Sequence, residues 1–326
     1  MHKQFPIMRK GRFYNHQTEQ KTGVLLPSLA MLIKSCFSRN KSKDQSSAWI
    51  EKSVIVARSI EPLITWIGHA TFLIQIGGIN ILTDPVFGKL GPLFPRISHP
   101  GITLAQLPHI DFVLISHNHR DHMEASTLNW LKKKYPNCGF LVPQGDKQWF
   151  RKRNFERVME SMWWDKHRFT ASYDGLTRIE FTFLPAYHWS QRGFFDYNKS
   201  LWGSWMITCQ NTSIYFAGDT AYSQHFSNIA QEFPVINIAL MPIGPCEPRV
   251  WMKHSHMSAE DSGQAFLDLK AHTFIPMHWG TYYFGVDFFS LPLDRLYVWW
   301  KEQQALASHQ KLHPLKIGQA FKTIIE

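Results

Sequence analysis

The chain has 326 residues, of which 44% are hydrophobic and 18% charged, enough for one large α/β or double-sheet domain with a substantial core. Four widely separated cysteines form no Cys-x-x-Cys pair, which excludes a dense disulfide framework and a thiolate zinc site and favours a reducing compartment. The net charge of +10 is uneven: residues 1–60 contain 11 Lys or Arg against 3 Asp or Glu, a balance of +8, so the other 266 residues carry only +2.

The basic residues 1–60 are expected to form an N-terminal segment distinct from a larger domain at 61–326. The most apolar stretch in this segment is residues 24–37, but it is shorter than the about 20 residues needed to span a bilayer, and Pro27 and Lys34 interrupt it. We therefore expect an amphipathic segment that lies on a membrane or on the domain, not a transmembrane helix or secretory signal. The protein is expected to be intracellular and cytoplasmic, with peripheral membrane association. A solvated basic arm is the alternative for the segment as a whole.

Short β-rich runs separated by turn residues begin near Pro62. The pair Gly77-Gly78 joins two of these runs and predicts a tight hairpin. Two series of strands follow in chain order. We predict strands at 63–67, 71–76, 79–83, 112–115, 140–142 and 178–184 in the first series and at 202–208, 213–217, 236–241 and 273–277 in the second.

Three helices are predicted between and after the strands. Residues 124–134 have lysines at the C-terminal end, where they favour the helix dipole. Residues 258–269 begin with Ser258-Ala259-Glu260-Asp261, a capping box, and residues 294–307 show weaker capping signals. The pattern indicates an α/β protein with two packed β-sheets flanked by helices, although spacing alone leaves a doubly wound fold open. No internal repeat of fixed period is evident.

The most informative motif is His117-Asn118-His119-Arg120-Asp121-His122. It offers three imidazoles and a carboxylate, the ligand types that suit zinc and similar divalent metals. An apolar run of strand length, residues 111–115, precedes it, so the cluster is expected to emerge at the end of a buried strand. The motif therefore predicts a metal site.

Three further candidate ligands each follow a predicted strand. They are His188, Asp219 in Gly218-Asp219-Thr220, and His278 in Met277-His278-Trp279-Gly280. A two-metal hydrolase needs such ligands from separate loops at one rim, including a carboxylate able to bridge both ions. Their recurrence at strand ends favours one shared site with the hexapeptide.

Longer motifs are similar to those of a known family. The His-x-His-x-Asp-His stretch and the later ligands resemble the metallo-β-lactamase superfamily, whose fold is an αββα sandwich of two mixed β-sheets flanked by helices. The resemblance extends to its N-acylphosphatidylethanolamine-hydrolysing phospholipase D family. The matching stretches include Trp66-Ile67-Gly68-His69-Ala70-Thr71, Leu82-Thr83-Asp84-Pro85, Leu201-Trp202-Gly203-Ser204-Trp205, Glu247-Pro248-Arg249 and His278-Trp279-Gly280-Thr281.

The resemblance implies a site with two zinc ions per chain. His117, His119 and His188 would hold one ion, Asp121, His122 and His278 the other, and Asp219 would bridge them. A hydroxide between the two ions would be the nucleophile. The implied reaction converts N-acylphosphatidylethanolamine into N-acylethanolamine and phosphatidate at a membrane surface, and related enzymes suggest a homodimer.

The resemblance also suggests supporting residues. Asp84 is expected to accept a hydrogen bond from a metal-binding imidazole, with a turn-capping role before Pro85 as the alternative. His256 could contact phosphate or assist the leaving group, or could be a solvent-facing loop residue. His69 is expected only to stabilise its own turn.

The resemblance to the family does not predict which substrate this chain prefers. Arg120 stands where the eukaryotic enzymes have tyrosine, and it could bind phosphate or face solvent. The aromatic residues of the stretch 282–289, just after His278, could provide a lipid with an apolar approach to the metals.

Two other functions stay open. Another hydrolase of the superfamily, such as a lactonase or a nuclease, would use the same metals, although nucleic acid is an unlikely partner because the basic charge precedes the main domain. A non-catalytic binding protein on this fold is the alternative of a different class.

Overall fold

A computed structural model describes residues 3–16, 47–91, 94–171, 175–284, 287–303 and 309–322. The predicted amphipathic segment at 24–37 lies outside these residues. The strands, in chain order, are β1 (Ile7–Arg9), β2 (Arg12–Tyr14), β3 (Leu63–Gly68), β4 (Thr71–Ile76), β5 (Ile79–Thr83), β6 (Phe112–Leu114), β7 (Gly139–Pro143), β8 (Val158–Ser161), β9 (Lys166–Thr170), β10 (Arg178–Leu184), β11 (Ser204–Cys209), β12 (Thr212–Phe216), β13 (Ile238–Pro242), β14 (Thr273–Met277), β15 (Lys311–Leu312) and β16 (Ala320–Lys322).

Two seven-stranded mixed sheets form the centre of the molecule. Their strand orders are β16-β3-β4-β5-β6-β7-β8 and β15-β14-β13-β12-β11-β10-β9. In the first sheet, β16, β3, β4 and β5 pair antiparallel, and β6, β7 and β8 are added in parallel. In the second sheet, β9, β10, β11 and β12 pair antiparallel, and β13, β14 and β15 are added in parallel. The two sheets therefore repeat one topology, which the sequence did not reveal because the connections differ in length.

The hairpin between β4 and β5 forms as predicted. Gly77 and Gly78 have φ values of +56° and +71°, and two consecutive left-handed residues give the turn that matches the twist of the flanking strands. A Cβ on Gly77 would stand 2.6 Å from Cys209 Sγ. The hairpin therefore requires glycine for both its backbone conformation and its packing.

The core lies on both faces of the strands. Along β4, Phe72 and Ile74 face the space between the sheets, whereas Leu73 packs with an outer cluster that includes Leu128. Strands covered on both sides are apolar at most positions instead of alternating, which explains why they are visible as nearly continuous runs in the sequence. Trp205 joins the layers, since its Nε1 donates to the carbonyl of Ile115 at 2.9 Å.

Helices cover the outer faces, so the αββα sandwich expected from the sequence is confirmed. They are α1 (Ala125–Lys134), α2 (Lys147–Arg151), α3 (His225–Glu232), α4 (Arg249–Met252), α5 (Ala259–Leu269) and α6 (Leu291–Glu302). The capping box of α5 is present: Ser258 Oγ accepts from the backbone N–H of Asp261 at 3.2 Å, and Asp261 Oδ2 accepts from that of Ser258 at 3.1 Å. Helix α6 begins three residues before the predicted residue 294, because Pro292 fits the first turn, where no N–H bond is needed.

The described part of the basic N-terminal segment contacts the sandwich. Phe13 is buried, and its backbone N–H donates to the carbonyl of Asn198 at 2.8 Å. Further along the segment, the two terminal guanidinium nitrogens of Arg58 donate to the carboxylate of Asp111, at 2.6 and 3.1 Å. Within the residues that the structure describes, none of the helices has the length and apolar character needed to cross a membrane.

Candidate metal centre

Every candidate ligand lies at the end of a strand on the same rim of the two sheets. His117 follows β6, His188 follows β10, Asp219 follows β12 and His278 follows β14. The hexapeptide is a loop between β6 and α1, as expected. The structure brings all seven proposed ligands together, with His117, His119, Asp121, His122, His188, Asp219 and His278 contributing to adjoining groups whose ligand atoms lie within 4.8 Å of one another.

Backbone strain is concentrated at this rim. His69, Asp84 and His278 have φ values of +55°, +31° and +62°, a region that costs non-glycine residues free energy and persists where the surroundings enforce it. Gly218 has φ +59°, and a Cβ there would stand 2.5 Å from the Cβ of Ser116. The glycine before Asp219 thus allows the chain to turn tightly enough to bring the carboxylate into the site.

The first ligand group consists of three imidazoles. His117 Nε2 and His119 Nδ1 are 2.8 Å apart, and His188 Nε2 and His119 Nδ1 are 3.2 Å apart. Three ring nitrogens that converge in this way present lone pairs to one point. Tetrahedral zinc commonly takes such a set of three histidines.

The second group combines two imidazoles with a carboxylate. His122 Nε2 and His278 Nε2 are 3.3 Å apart, and Asp121 Oδ2 lies 3.5 Å from His122 Nε2. The group is separate from the three histidines but shares the same loop, because Asp121 and His122 come from the hexapeptide that also carries His117.

Asp219 lies between the two groups. Its Oδ1 is 3.0 Å from His278 Nε2, and its Oδ2 is 3.2 Å from His122 Nε2 and 3.8 Å from His188 Nε2. One carboxylate therefore reaches imidazoles of both groups. This position is the one that a bridging ligand occupies in a two-metal site.

Hydrogen bonds behind the imidazoles fix their orientation. The Nδ1–H of His122 donates to Asp84 Oδ2 at 2.7 Å, that of His188 to the carbonyl of Ser255 at 2.8 Å, and that of His278 to the carbonyl of Gly244 at 2.9 Å. A proton held on Nδ1 leaves the Nε2 lone pair free to face the centre. Asp84 is thus placed where the sequence predicted it.

Burial keeps most of these imidazoles neutral. Removal from water lowers the pKa of His188 to about 3 and that of His119 to about 4. Although burial alone raises it, the pKa of Asp219 is held well below its usual range by His122 and His278. Neutral imidazoles and ionised carboxylates are the protonation states that metal binding requires.

The centre also favours a positive charge. Burial alone lowers the pKa of His122, yet Asp219 and Asp121 raise it well above its ordinary value. Two buried polar atoms at the centre have no hydrogen-bond partner, namely Asp219 Oδ1 and His256 Nδ1. Unpaired buried polar atoms are costly in a folded protein, so the donor set and its charge fit divalent cations.

His256 lies at the entrance of the centre. Its Nδ1 is 3.7 Å from Asp219 Oδ2, and its side chain is 18% exposed. Its ring centroid is 5.1 Å from that of His188. Burial lowers the pKa of His256 to about 3, so a neutral imidazole faces both the shared carboxylate and the solvent-accessible side of the site.

His69 has a larger role in the site than the sequence suggested. Its Nε2–H donates to Asp121 Oδ2 at 3.1 Å, and its ring lies 3.9 Å from that of His278. The prediction that His69 serves only its own turn was therefore incomplete, because it also orients a proposed metal ligand. Nothing in the sequence indicated this role, because the contact joins two residues that are 52 positions apart in the chain.

We expect His69→Asn to weaken metal binding without unfolding the protein. Asparagine tolerates the left-handed backbone at this position, but its side chain is too short to reach Asp121. Loss of this hydrogen bond should lower the affinity for one of two metal equivalents by about 10- to 100-fold. Competition with a metal-chelating dye would measure the affinity, and two equivalents bound as tightly as in the wild type would contradict a positioning role.

A second set of contacts holds the hexapeptide loop from outside. Arg192 Nη1 donates to the carbonyls of Asn118 and Met123, at 2.8 and 2.7 Å, and Asn118 Nδ2 donates to buried Asp146 at 2.9 Å. Sequence reasoning missed Arg192, because contacts to backbone carbonyls leave no pattern in the chain. Arg120 is exposed, and its guanidinium donates to the carbonyl of Arg192 at 3.3 Å.

Aromatic rings form the walls of the entrance. Phe284 stacks on His69 and His278, with ring centroids 5.6 and 6.1 Å apart, and the partly exposed Phe94 lies 5.2 Å from Phe284. Beside the first ligand group, the ring of Trp189 lies 4.2 Å from that of His119. Phe284 belongs to the aromatic stretch 282–289, of which residues 285 and 286 are not described by the structure.

Comparison with known proteins agrees with this geometry. Residues 79–279 match the family described as the Beta-lactamase superfamily domain. The chain is 33% identical over 246 residues to N-acyl-phosphatidylethanolamine-hydrolyzing phospholipase D 1 of Caenorhabditis elegans, covering 71% of this chain and 68% of that protein. It is also 33% identical over 242 residues to the mitochondrial N-acyl-phosphatidylethanolamine-hydrolyzing phospholipase D of Saccharomyces cerevisiae, but spans only 50% of that protein.

A solved structure shows the same fold. Igni18, a metallo hydrolase from the archaeon Ignicoccus hospitalis, superimposes with a TM-score of 0.60 at 20% identity and covers 81% of this chain and 99% of its own. The family match spans more than half of the chain and contains all seven candidate ligands. The chain therefore belongs to the metallo-β-lactamase superfamily, as a metal-dependent hydrolase whose sequence resembles the N-acylphosphatidylethanolamine-hydrolysing phospholipases D.

Proposed function

We propose that the protein is a zinc-dependent phosphodiesterase of phospholipase D type that hydrolyses N-acylphosphatidylethanolamine at a membrane surface. The observation that carries the proposal is the position of Asp219 between two ligand groups. Such a pair of sites suits hydrolysis of a phosphodiester, because charge develops on both the attacking and the leaving oxygen. The similarity to the Caenorhabditis elegans protein supports the choice of lipid.

The ligand assignment follows the two groups. His117, His119 and His188 would hold one ion, Asp121, His122 and His278 the other, and Asp219 would contact both. Bound divalent ions supply two effects here: they lower the pKa of water towards neutrality and offset the charge of a phosphoryl oxygen. Zinc is the metal that this histidine-rich set suits best.

The protein's own groups would orient the lipid and handle its protons. Water adds to phosphorus, the bond between phosphorus and the ethanolamine oxygen breaks, and that oxygen takes up a proton. His256 lies at the entrance with Nδ1 unpaired, where its neutral imidazole can form a hydrogen bond with a phosphoryl oxygen or with the leaving group. Phe94 and Phe284 provide apolar contact for acyl chains beside the same entrance.

Comparative turnover tests the proposal. The metal-replete full chain would be assayed on vesicles that contain N-acylphosphatidylethanolamine, on a lactone and on RNA, with product detection by mass spectrometry. We expect N-acylethanolamine and phosphatidate from the lipid, and about 100-fold lower specific activity on the other two substrates. The variant Asp294→Asn, which removes an exposed acidic group on α6, is the matched control for purification and should behave as the wild type.

The same experiment separates the alternatives. No lipid turnover with efficient lactone or RNA cleavage would replace the phospholipase with another hydrolase of the superfamily. Less than about one metal ion per chain after metal loading, with no turnover of any substrate, would favour a non-catalytic binding protein. The proposed homodimer is tested separately by light scattering of the full chain, for which we expect twice the monomer mass of 38.1 kDa.

A further inference from the structure

Two phenylalanines lie almost entirely in solvent in the loop that follows His188. We call residues 189–198 the aromatic loop. Phe194 is 94% exposed and Phe195 is 85% exposed. A single exposed apolar side chain is ordinary, but two adjacent aromatic rings beside an active-site entrance indicate a surface that is covered when the protein works.

Hydrogen bonds within the aromatic loop hold its tip away from the sandwich. Asp196 Oδ1 accepts from the backbone N–H groups of Arg192 and Gly193, at 3.1 and 2.8 Å. At the base of the loop, the backbone N–H of Asn198 donates to the carbonyl of Ser190 at 2.7 Å. The two rings are thus presented to solvent by an ordered turn, although burial against the body would remove apolar surface from water.

The base of the aromatic loop contacts the metal centre. The ring of Trp189 lies 4.2 Å from that of the proposed ligand His119, and the ring of Tyr197 lies 5.9 Å from Trp189. Arg192 connects the loop to the hexapeptide through the carbonyls of Asn118 and Met123. The two exposed rings therefore lie on a loop that is anchored to the metal centre through Trp189 and Arg192.

A basic hairpin stands beside this loop. We call strands β1 and β2 with their turn the N-terminal hairpin. The backbone N–H of Phe13 donates to the carbonyl of Asn198, and the guanidinium of Arg12 donates to the carbonyl of Tyr197. Residues 3–16 contain no acidic side chain and four basic ones, namely Lys3, Arg9, Lys10 and Arg12. Arg9 and Lys10 are exposed, so the hairpin adds positive charge beside the base of the aromatic loop.

We propose that the aromatic loop and the N-terminal hairpin form the docking surface for an anionic phospholipid bilayer. Phe194 and Phe195 enter the headgroup region, where aromatic rings gain apolar contact, while Arg9 and Lys10 pair with lipid phosphates. This arrangement presents the metal centre to the membrane, so that a lipid reaches it without crossing bulk water. The inference rests on the proposed function, because a lipid substrate is what gives such an orientation its purpose.

Vesicle sedimentation tests the docking surface independently of turnover. The full chain would be mixed with sucrose-loaded vesicles of neutral phosphatidylcholine, or of phosphatidylcholine with anionic phosphatidylserine, and the bound fraction measured. We expect the double variant F194S/F195S to bind anionic vesicles about tenfold more weakly. We expect R9Q/K10Q to weaken binding to anionic vesicles but not to neutral ones, with an effect that shrinks as salt rises.

Matched controls identify the surface as the cause. The double variant V54S/V298S removes two other exposed apolar side chains, 87% and 61% exposed, and should bind vesicles as the wild type does. Circular dichroism and thermal unfolding would confirm that F194S/F195S is folded. If F194S/F195S bound vesicles as well as the wild type does, the proposal would be overturned. If this variant also changed from dimer to monomer, the two rings would be assigned to contact with a second copy of the chain.

Failure of docking and failure of the proposed function give different results. If the wild type sediments through this surface but leaves N-acylphosphatidylethanolamine intact, the docking surface stands and the proposed substrate is wrong. If the wild type hydrolyses the lipid and F194S/F195S sediments with vesicles equally well, the substrate stands and the docking surface is wrong.

Discussion

Replacing Asp219 by asparagine is expected to remove about one metal equivalent and to lower turnover by about 1,000-fold. A bound metal ion contributes several kcal/mol of charge stabilisation in the transition state, which corresponds to about three powers of ten in rate. The two carboxylate oxygens lie 3.0 and 3.2 Å from imidazoles of the second ligand group, and one of them also reaches His188 at 3.8 Å. An amide has nearly the same shape but carries no negative charge, and only one of its two polar atoms accepts a metal bond. The bridge should therefore be lost while the packing is kept.

Two measurements check the Asp219→Asn prediction. Elemental analysis by mass spectrometry would count metal ions per chain, and thermal unfolding would show whether the fold is retained. The exposed Asp294→Asn is the control for the same chemical change outside the site. Two tightly bound ions and wild-type turnover in metal-replete Asp219→Asn would contradict the shared position of this carboxylate.

Replacing Asp84 by asparagine is expected to cause the second largest loss, through the orientation of His122. Asp84 Oδ2 accepts from His122 Nδ1 at 2.7 Å, and Oδ1 accepts from the backbone N–H of Ser116 at 2.7 Å. An asparagine keeps the left-handed backbone, which it tolerates well, but its NH₂ group must face one of these two donors. Two buried donors that face each other cost about 1–3 kcal/mol. This cost is avoided if His122 moves its proton from Nδ1 to Nε2.

A proton on Nε2 would block the atom that faces the metal centre. We therefore expect Asp84→Asn to weaken one of the two metal equivalents by about 10- to 100-fold and to lower the temperature of unfolding. A chelator competition would measure each equivalent, and nuclear magnetic resonance of the labelled imidazoles would show the tautomer of His122. Wild-type affinity for both ions together with an Nδ1-protonated His122 would rule out the positioning role of Asp84.

The parts of the fold that the sequence predicts best are those with local signals. The two glycines Gly77 and Gly78 define a hairpin through their backbone freedom alone, and Ser258 with Asp261 defines the start of a helix through contacts three residues apart. Strands in the middle of each sheet are apolar on both faces and stand out as runs. Edge strands β8, β9, β15 and β16 were not predicted, because they are short or partly polar and depend on a neighbouring strand for their backbone hydrogen bonds.

The proposed ligands could be found because each follows a buried strand, so that separate parts of the chain meet at one rim. Their partners were harder to find. Asp84 was proposed from its motif, whereas the contact between His69 and Asp121 joins two loops and leaves no spacing pattern. Arg192 fixes the ligand loop through backbone carbonyls, which are present at every residue and carry no sequence signal. Spatial neighbours of this kind require coordinates.

Hydrolysis in ¹⁸O-labelled water tests the central claim most directly. If the protein cleaves the bond between phosphorus and the ethanolamine oxygen, the solvent oxygen enters phosphatidate and leaves N-acylethanolamine unlabelled. Mass spectrometry of both products from N-acylphosphatidylethanolamine vesicles would locate the label. We predict one ¹⁸O in phosphatidate; label in N-acylethanolamine or in a released fatty acid would contradict phosphodiester hydrolysis of phospholipase D type.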